Sequence, residues 1–145
     1  MQPLGADEWR AALRNRGHKV SIHGHPAAVR RLVQSPETVA AGPHEASVHG
    51  LDLVALSAHP EVYLDDHAWA KLAEVLNLDI AAPSSASALV RLVHGDGIVD
   101  RLRANERLLG LAVAADCLDD ADPRANYAGL EFIKEAVDRT IGPRA

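Results

Sequence analysis

Between His18 and Gln34 the hydrophobic period of this chain changes from two to 3.6 across one corner, Gly24-His25-Pro26. In His18–His23, Val20 and Ile22 alternate with Lys19, Ser21 and His23, which is the pattern of a half-buried strand. Pro26 has the fixed φ that suits a first helical turn, and from there Val29, Leu32 and Val33 share a helical face up to Gln34. A strand and a helix this close together demand a core that serves both. The rest of the chain must extend that core.

Other segments follow from the same rules. Trp9, Ala12 and Leu13 line one side of a helix expected over Asp7–Arg16, closed by Gly17. Ser35–Glu45 contains Pro36, Gly42 and Pro43 and is expected to be mostly loop. Ala46–Ser57, centred on Leu51 to Leu56, has the length of a strand, and Glu61–Leu64 is a shorter one. Asp65-Asp66 caps a helix over Asp66–Leu76, with Trp69, Leu72, Ala73 and Leu76 on one face. A helix is expected over Ser84–Val93, a break at His94–Gly97, and one long helix over Ile98–Leu118. Asp122 and Pro123 then form an N-cap and first turn, and Leu130, Ile133, Val137 and Ile141 form the expected buried stripe of the last helix. The fold class expected is α+β, with a small sheet in the N-terminal half and a helical hairpin or bundle in the C-terminal half. An all-α fold is the alternative if the β runs are misread.

Length supports one domain over residues 1–145, because a chain of this size buries roughly 70% of the surface exposed when unfolded. Fifteen Lys+Arg against twenty Asp+Glu give a net charge of −5, which argues against attraction to nucleic acid or to an anionic membrane. One Phe, two Tyr and two Trp leave Leu, Val, Ile and Ala to build the core, and deny the chain the aromatic platforms on which single strands stack. No apolar stretch approaches the ~18 residues of a membrane span. Met1–Gly5 has neither the basic region nor the apolar core of a signal peptide, so a cytoplasmic location is expected. The excess of Arg over Lys, with abundant Ala, Val and Asp, fits a GC-rich bacterial source. Cys117 is the single cysteine and reads as a small core residue.

Eight histidines are the unusual count. Their protonation would reverse the sign of the net charge. His18–Gly24 and His44–Gly50 echo one another in the order His, Val or Ile, His and Gly. If both were strands lying side by side, His23 and His49 would approach, and the Gly24 corner would add His25. His23, His25 and His49 are therefore the candidate metal ligands, for zinc or another divalent transition metal, with Asp65, Asp66 or His67 able to supply a further ligand. The bland reading is that these are ordinary surface and capping histidines, with no cofactor at all.

Three local resemblances also carry chemistry. Gly17–His25 resembles the His-x-His opening of the cupin pattern, which implies a metal-binding β-barrel, but Val29 and Arg30 stand where the carboxylate ligand belongs. Leu92–Asp96 resembles the catalytic loop of aminoglycoside phosphotransferases, yet Arg101 takes the place of the metal-binding Asn and the chain is too short for a kinase-like fold. His94–Gly97 is similar to an esterase oxyanion-hole loop without a Gly-x-Ser-x-Gly elbow. All three are read as coincidence. Asp116, Asp119, Asp120 and Asp122 lack the glycine and final Glu of a calcium loop and are expected to cap and solvate helix ends. Arg10, Arg14, Arg16, Lys19, Arg30 and Arg31 make the N-terminal third basic.

No catalytic set is complete. The function expected is binding to another macromolecule, either a protein partner or a second copy, as a regulatory or assembly component that uses the Ile98–Leu118 and Pro123–Ile141 helices. The alternative is a metal-dependent enzyme or sensor built on the three histidines. Nucleic-acid binding through the basic third is a weaker reading, opposed by the net charge.

Overall fold

The computed structural model describes residues 18–53, 59–94 and 97–141. The expected helix Asp7–Arg16 lies outside them. The elements in order are β1 (His18–His23), α1 (Pro26–Gln34), β2 (Val39–Ala41), 3₁₀ turns at Pro43–Glu45 and Ser47–His49, β3 (Glu61–Asp65), α2 (Asp66–Val75), β4 (Asp79–Ile80), a 3₁₀ turn at Pro83–Ser85, β5 (Ala88–Val93), α3 (Ile98–Ala104), α4 (Glu106–Leu118) and α5 (Pro123–Ile141). The fold is α+β: all five strands lie at or before Val93, and the described elements beyond it are helices. Among the described residues no helix is long and apolar enough to cross a membrane.

The five strands form one mixed sheet in the order β2-β3-β5-β1-β4. β3 and β5 run parallel and the other pairs antiparallel. On one face, Ile22, Val62, Leu64, Val90 and Leu92 pack against Val29 and Leu32 of α1 and Ala68 of α2. On the other, Val39, Ala41, Tyr63 and Val93 pack against Val99 and Leu102 of α3 and Leu108 and Ala112 of α4. A third cluster joins Val113, Ala114 and Cys117 of α4 to Ala125 and Ala128 of α5 and to Ala46, Leu51 and Leu53. α4 is thus buried on both sides, between the sheet and α5, which is why Gly110 to Cys117 is apolar nearly all round.

Five expectations change. Ser84–Val93 is not a helix, because Ala88–Val93 forms β5. A central strand covered on both faces is nearly all apolar, here with Arg91 as the one charge, and loses the alternation by which strands are recognised. Ile98–Leu118 is two helices, broken at Asn105, whose extended backbone (φ −131°) and side-chain oxygen, accepting from Leu108 N–H at 3.1 Å, start α4. Val39–Ala41, within the expected loop, is a three-residue edge strand that turns Val39 and Ala41 into the core. Ser47–His49, placed within the Ala46–Ser57 strand, is a 3₁₀ turn closed by left-handed Gly50 (φ 88°); residues 54–58 lie outside the described segments. β1's neighbours are β4 and β5, so the side-by-side echo of His18–Gly24 and His44–Gly50 does not form.

The last helix carries a subtler correction. α5 begins as expected, with Asp122 accepting from Arg124 N–H at 2.9 Å. It packs on α4 not through Leu130 and Val137 but through Ala125, Ala128 and Gly129, with Phe132 and Ile133 partly buried at the edge. A Cβ on Gly129 would stand 2.4 Å from the Ala114 carbonyl oxygen. The two helices touch through their backbones, and this turns the larger apolar side chains of α5 outward.

Candidate functional site

The parallel register sets Tyr63 opposite Arg91, and period-two alternation puts Glu61 on the same face. Arg91 Nε donates to Glu61 Oε2 at 2.8 Å, and its Nη1 lies 3.2 Å from Asp116 Oδ1 of α4. Asp116 Oδ2 accepts from Gly42 N–H at 3.0 Å and from the Tyr63 hydroxyl. Gly42 is required here, since its φ is +77° and a Cβ would fall 2.4 Å from the Glu61 carboxyl carbon. All four side chains are buried, Asp116 to 1% exposure. Burial works against the Arg91 charge, but Asp116 and Glu61 outweigh it and hold the guanidinium pKa above its ordinary value. Asp116 is thus no solvated capping residue. The cluster is closed to solvent and fastens α4 and the Gly42 corner to the sheet.

Cys117, next in the chain, is free and fully buried, as its sequence setting implied. Burial, helped by Asp116, pushes its thiol pKa up to about 12. Labelling by a disulfide reagent at pH 8 should therefore be slower by about 100-fold in the native protein than in the urea-unfolded chain. Rapid stoichiometric labelling of the folded protein would contradict this burial.

A second place of interest lies at the carboxyl ends of β3 and β5. β3 leads into α2 on one face of the sheet and β5 into α3 on the other, the divergence that opens a crevice in α/β sheets. Asp65 accepts from Ala68 N–H at 2.8 Å and caps α2. His94 Nδ1 lies 2.6 Å from Asp66 Oδ2, both side chains being exposed. A cavity of about 160 Å³ is lined by Pro36, Glu37, Asp65, Gly97, Asp100 and Arg103, among others. Arg103 already donates to Asp100 at 2.9 Å and to the Pro36 carbonyl at 2.5 Å. The space is about half of the ~300 Å³ at which small-molecule pockets begin.

The third place is the outer side of α5. Tyr127, Leu130 and Val137 are 68%, 43% and 37% exposed and share one helical side with Lys134, at i, i+3, i+7 and i+10. Beside them a groove of about 240 Å³ runs between α5 and Gly50–Asp52, lined by Tyr127, Phe132, Asp52, Glu131 and Glu135. Glu131 pairs with Lys134 at 3.8 Å and Glu135 with Arg139 at 3.3 Å, both on the surface. The outer side of α5 is thus an apolar stripe with an aromatic edge and a charged rim.

No family model, curated protein or solved structure matches this chain.

The three histidines proposed as ligands hold separate positions. His23 ends β1 opposite Asp79, with its Nδ1 3.1 Å from Ser87 Oγ. His25 Nδ1 accepts from Ala27 N–H at 3.0 Å and caps α1. His49 ends the second 3₁₀ turn against α4, where a Cβ on Gly110 would lie 3.7 Å from the His49 Cβ. Burial holds the His49 imidazole below its ordinary pKa, against the pull of Glu45 and Glu106. Among the described residues no three His, Cys, Asp or Glu side chains are grouped to hold a metal ion. Sequence reasoning missed Glu61, Arg91 and Asp116 as a unit. Their signal was a lone charge inside an apolar run, as in Leu89–Val93 and Leu111–Leu118.

Proposed function

We propose that this protein acts by binding another protein chain through the outer side of α5, as an assembly or regulatory component. The observation that carries this reading is the exposed stripe of Tyr127, Leu130 and Val137, which α5 does not need for its own packing because Ala125, Ala128 and Gly129 hold it to α4. A helix face of this kind accepts an amphipathic helix. Neither the small crevice at β3 and β5 nor the sealed Arg91 cluster offers an open site of comparable extent.

A labelled amphipathic peptide with leucine at every a and d position of three heptads supplies the test, read by fluorescence anisotropy. Binding to the unmodified protein is expected to weaken by about tenfold or more on Leu130→Asp with Val137→Asp, since each change puts a charge into an apolar contact. Equal binding by both proteins, or none at about 1 mM, would remove α5 as the binding surface.

A further inference from the structure

The geometry points to a second copy of this chain as the occupant of α5, packed antiparallel about a two-fold axis near Phe132; this rests on the protein-binding reading above. The exposed stripe falls at spacings of three, four and three residues, from Tyr127 to Leu130, Lys134 and Val137, which is an a-d-a-d sequence of heptad positions. Pro123–Ile141 contains three acidic residues (Glu131, Glu135, Asp138) and three basic ones (Arg124, Lys134, Arg139), so the helix is neutral although the chain carries −5. A neutral helix with interleaved signs has no preference for a strongly charged partner. It complements itself.

The position of Lys134 selects the orientation. In a parallel pair each Lys134 would face its own copy, and like charges would meet across the seam. In an antiparallel pair centred near Phe132, Tyr127 of one copy meets Val137 of the other, and Leu130 meets the aliphatic stem of Lys134, each contact occurring twice. The Lys134 knob then enters the hole bounded by Tyr127, Leu130 and Glu131 of the second copy, so its ammonium finds a carboxylate there as it does on its own helix at 3.8 Å. Two-fold closure uses the same patch on both molecules and leaves no open end.

Sedimentation velocity from about 10 µM to about 1 mM tests the association, since interfaces this small are weak. The unmodified 15.5 kDa chain is expected to pass from monomer to dimer. Lys134→Glu should weaken the dimer by about tenfold, and Glu131→Lys combined with Lys134→Glu should restore it, with circular dichroism showing both folded. Oxidation reads the orientation. The Tyr127→Cys, Val137→Cys double variant should give a covalent dimer, because its two cysteines lie ~15 Å apart along one helix and cannot pair within a molecule. Tyr127→Cys alone should not. Dimerisation with efficient cross-linking of Tyr127→Cys alone overturns the antiparallel arrangement. A protein that stays monomeric at ~1 mM yet binds the leucine peptide overturns the second copy and leaves the protein-binding reading standing. Loss of both overturns both.

Discussion

Arg91→Met is expected to lower the unfolding free energy by about 3–5 kcal/mol, a large share of the ~5–15 kcal/mol that holds a domain of this size together. The methionine fills much of the volume, so lost packing is not the main cost. The cost is the pair of carboxylates left behind. Glu61 and Asp116 are both buried, and Arg91 is the cation between them, 2.8 Å from one and 3.2 Å from the other. Without it two negative charges face each other where water cannot screen them. Tyr63 and the Gly42 N–H still donate to Asp116, but neither carries a charge. Combining Arg91→Met with Glu61→Gln and Asp116→Asn removes the repulsion and should recover about half of the loss or more. Urea unfolding of the two variants separates the cases. Equal destabilisation of both would mean that packing at β5, rather than charge, sets the cost.

Gly129→Ala is expected to lower stability by about 1–3 kcal/mol. On an exposed helix the same change would stabilise by up to ~1 kcal/mol, since alanine has the better helix propensity. Geometry reverses the sign. The added Cβ would sit 2.4 Å from the Ala114 carbonyl oxygen and 3.1 Å from the Cys117 Cβ. Neither the Ala114 backbone nor the buried Cys117 can swing aside, so α5 must lift from α4 and open the third core cluster. Gly110 provides the internal control, because its Cβ would meet the ring edge of Phe132 at 3.1 Å, and that ring can turn. Gly110→Ala should therefore cost distinctly less. Thermal melts decide between them: Gly129→Ala melting at or above the unmodified protein would show that α4 and α5 are not in backbone contact.

The elements that could be read correctly are those with local chemistry at their ends. β1 alternates and is stopped by the Gly24-His25-Pro26 corner, and α1 begins at its proline with His25 capping it. Asp65 caps α2, and Asp122 with Pro123 opens α5. Short-range hydrogen bonds decided these, so a short window of sequence was enough. The Asn105 cap was present too, but the apolar register continues across it and hid the break. β5 was illegible for a different reason, since a strand covered on both faces has the same residue content as a buried helix segment.

The candidate surface divided along the same line. That α5 is a long helix with apolar residues at helical spacing could be read from its sequence. Its orientation could not, because α5 has two apolar sides, one of small residues around Gly129 and one of large residues around Leu130. Hydrophobicity alone favours burying the large side. Closest approach of two helix backbones favours the small one, and the Gly129 contact shows which prevailed. The histidine echo failed because pairing of distant segments depends on which strands the whole sheet accepts, and β1 was already taken by β4 and β5. Composition and local signals thus set the class, the charge and most helix starts, as interactions between near neighbours in the chain. Which strands pair, which side of α5 faces water, and which charges meet in the core were settled by contacts between residues far apart in sequence, such as Gly42 with Asp116 and Glu61 with Arg91, whose energies exist only once the chain has closed around them.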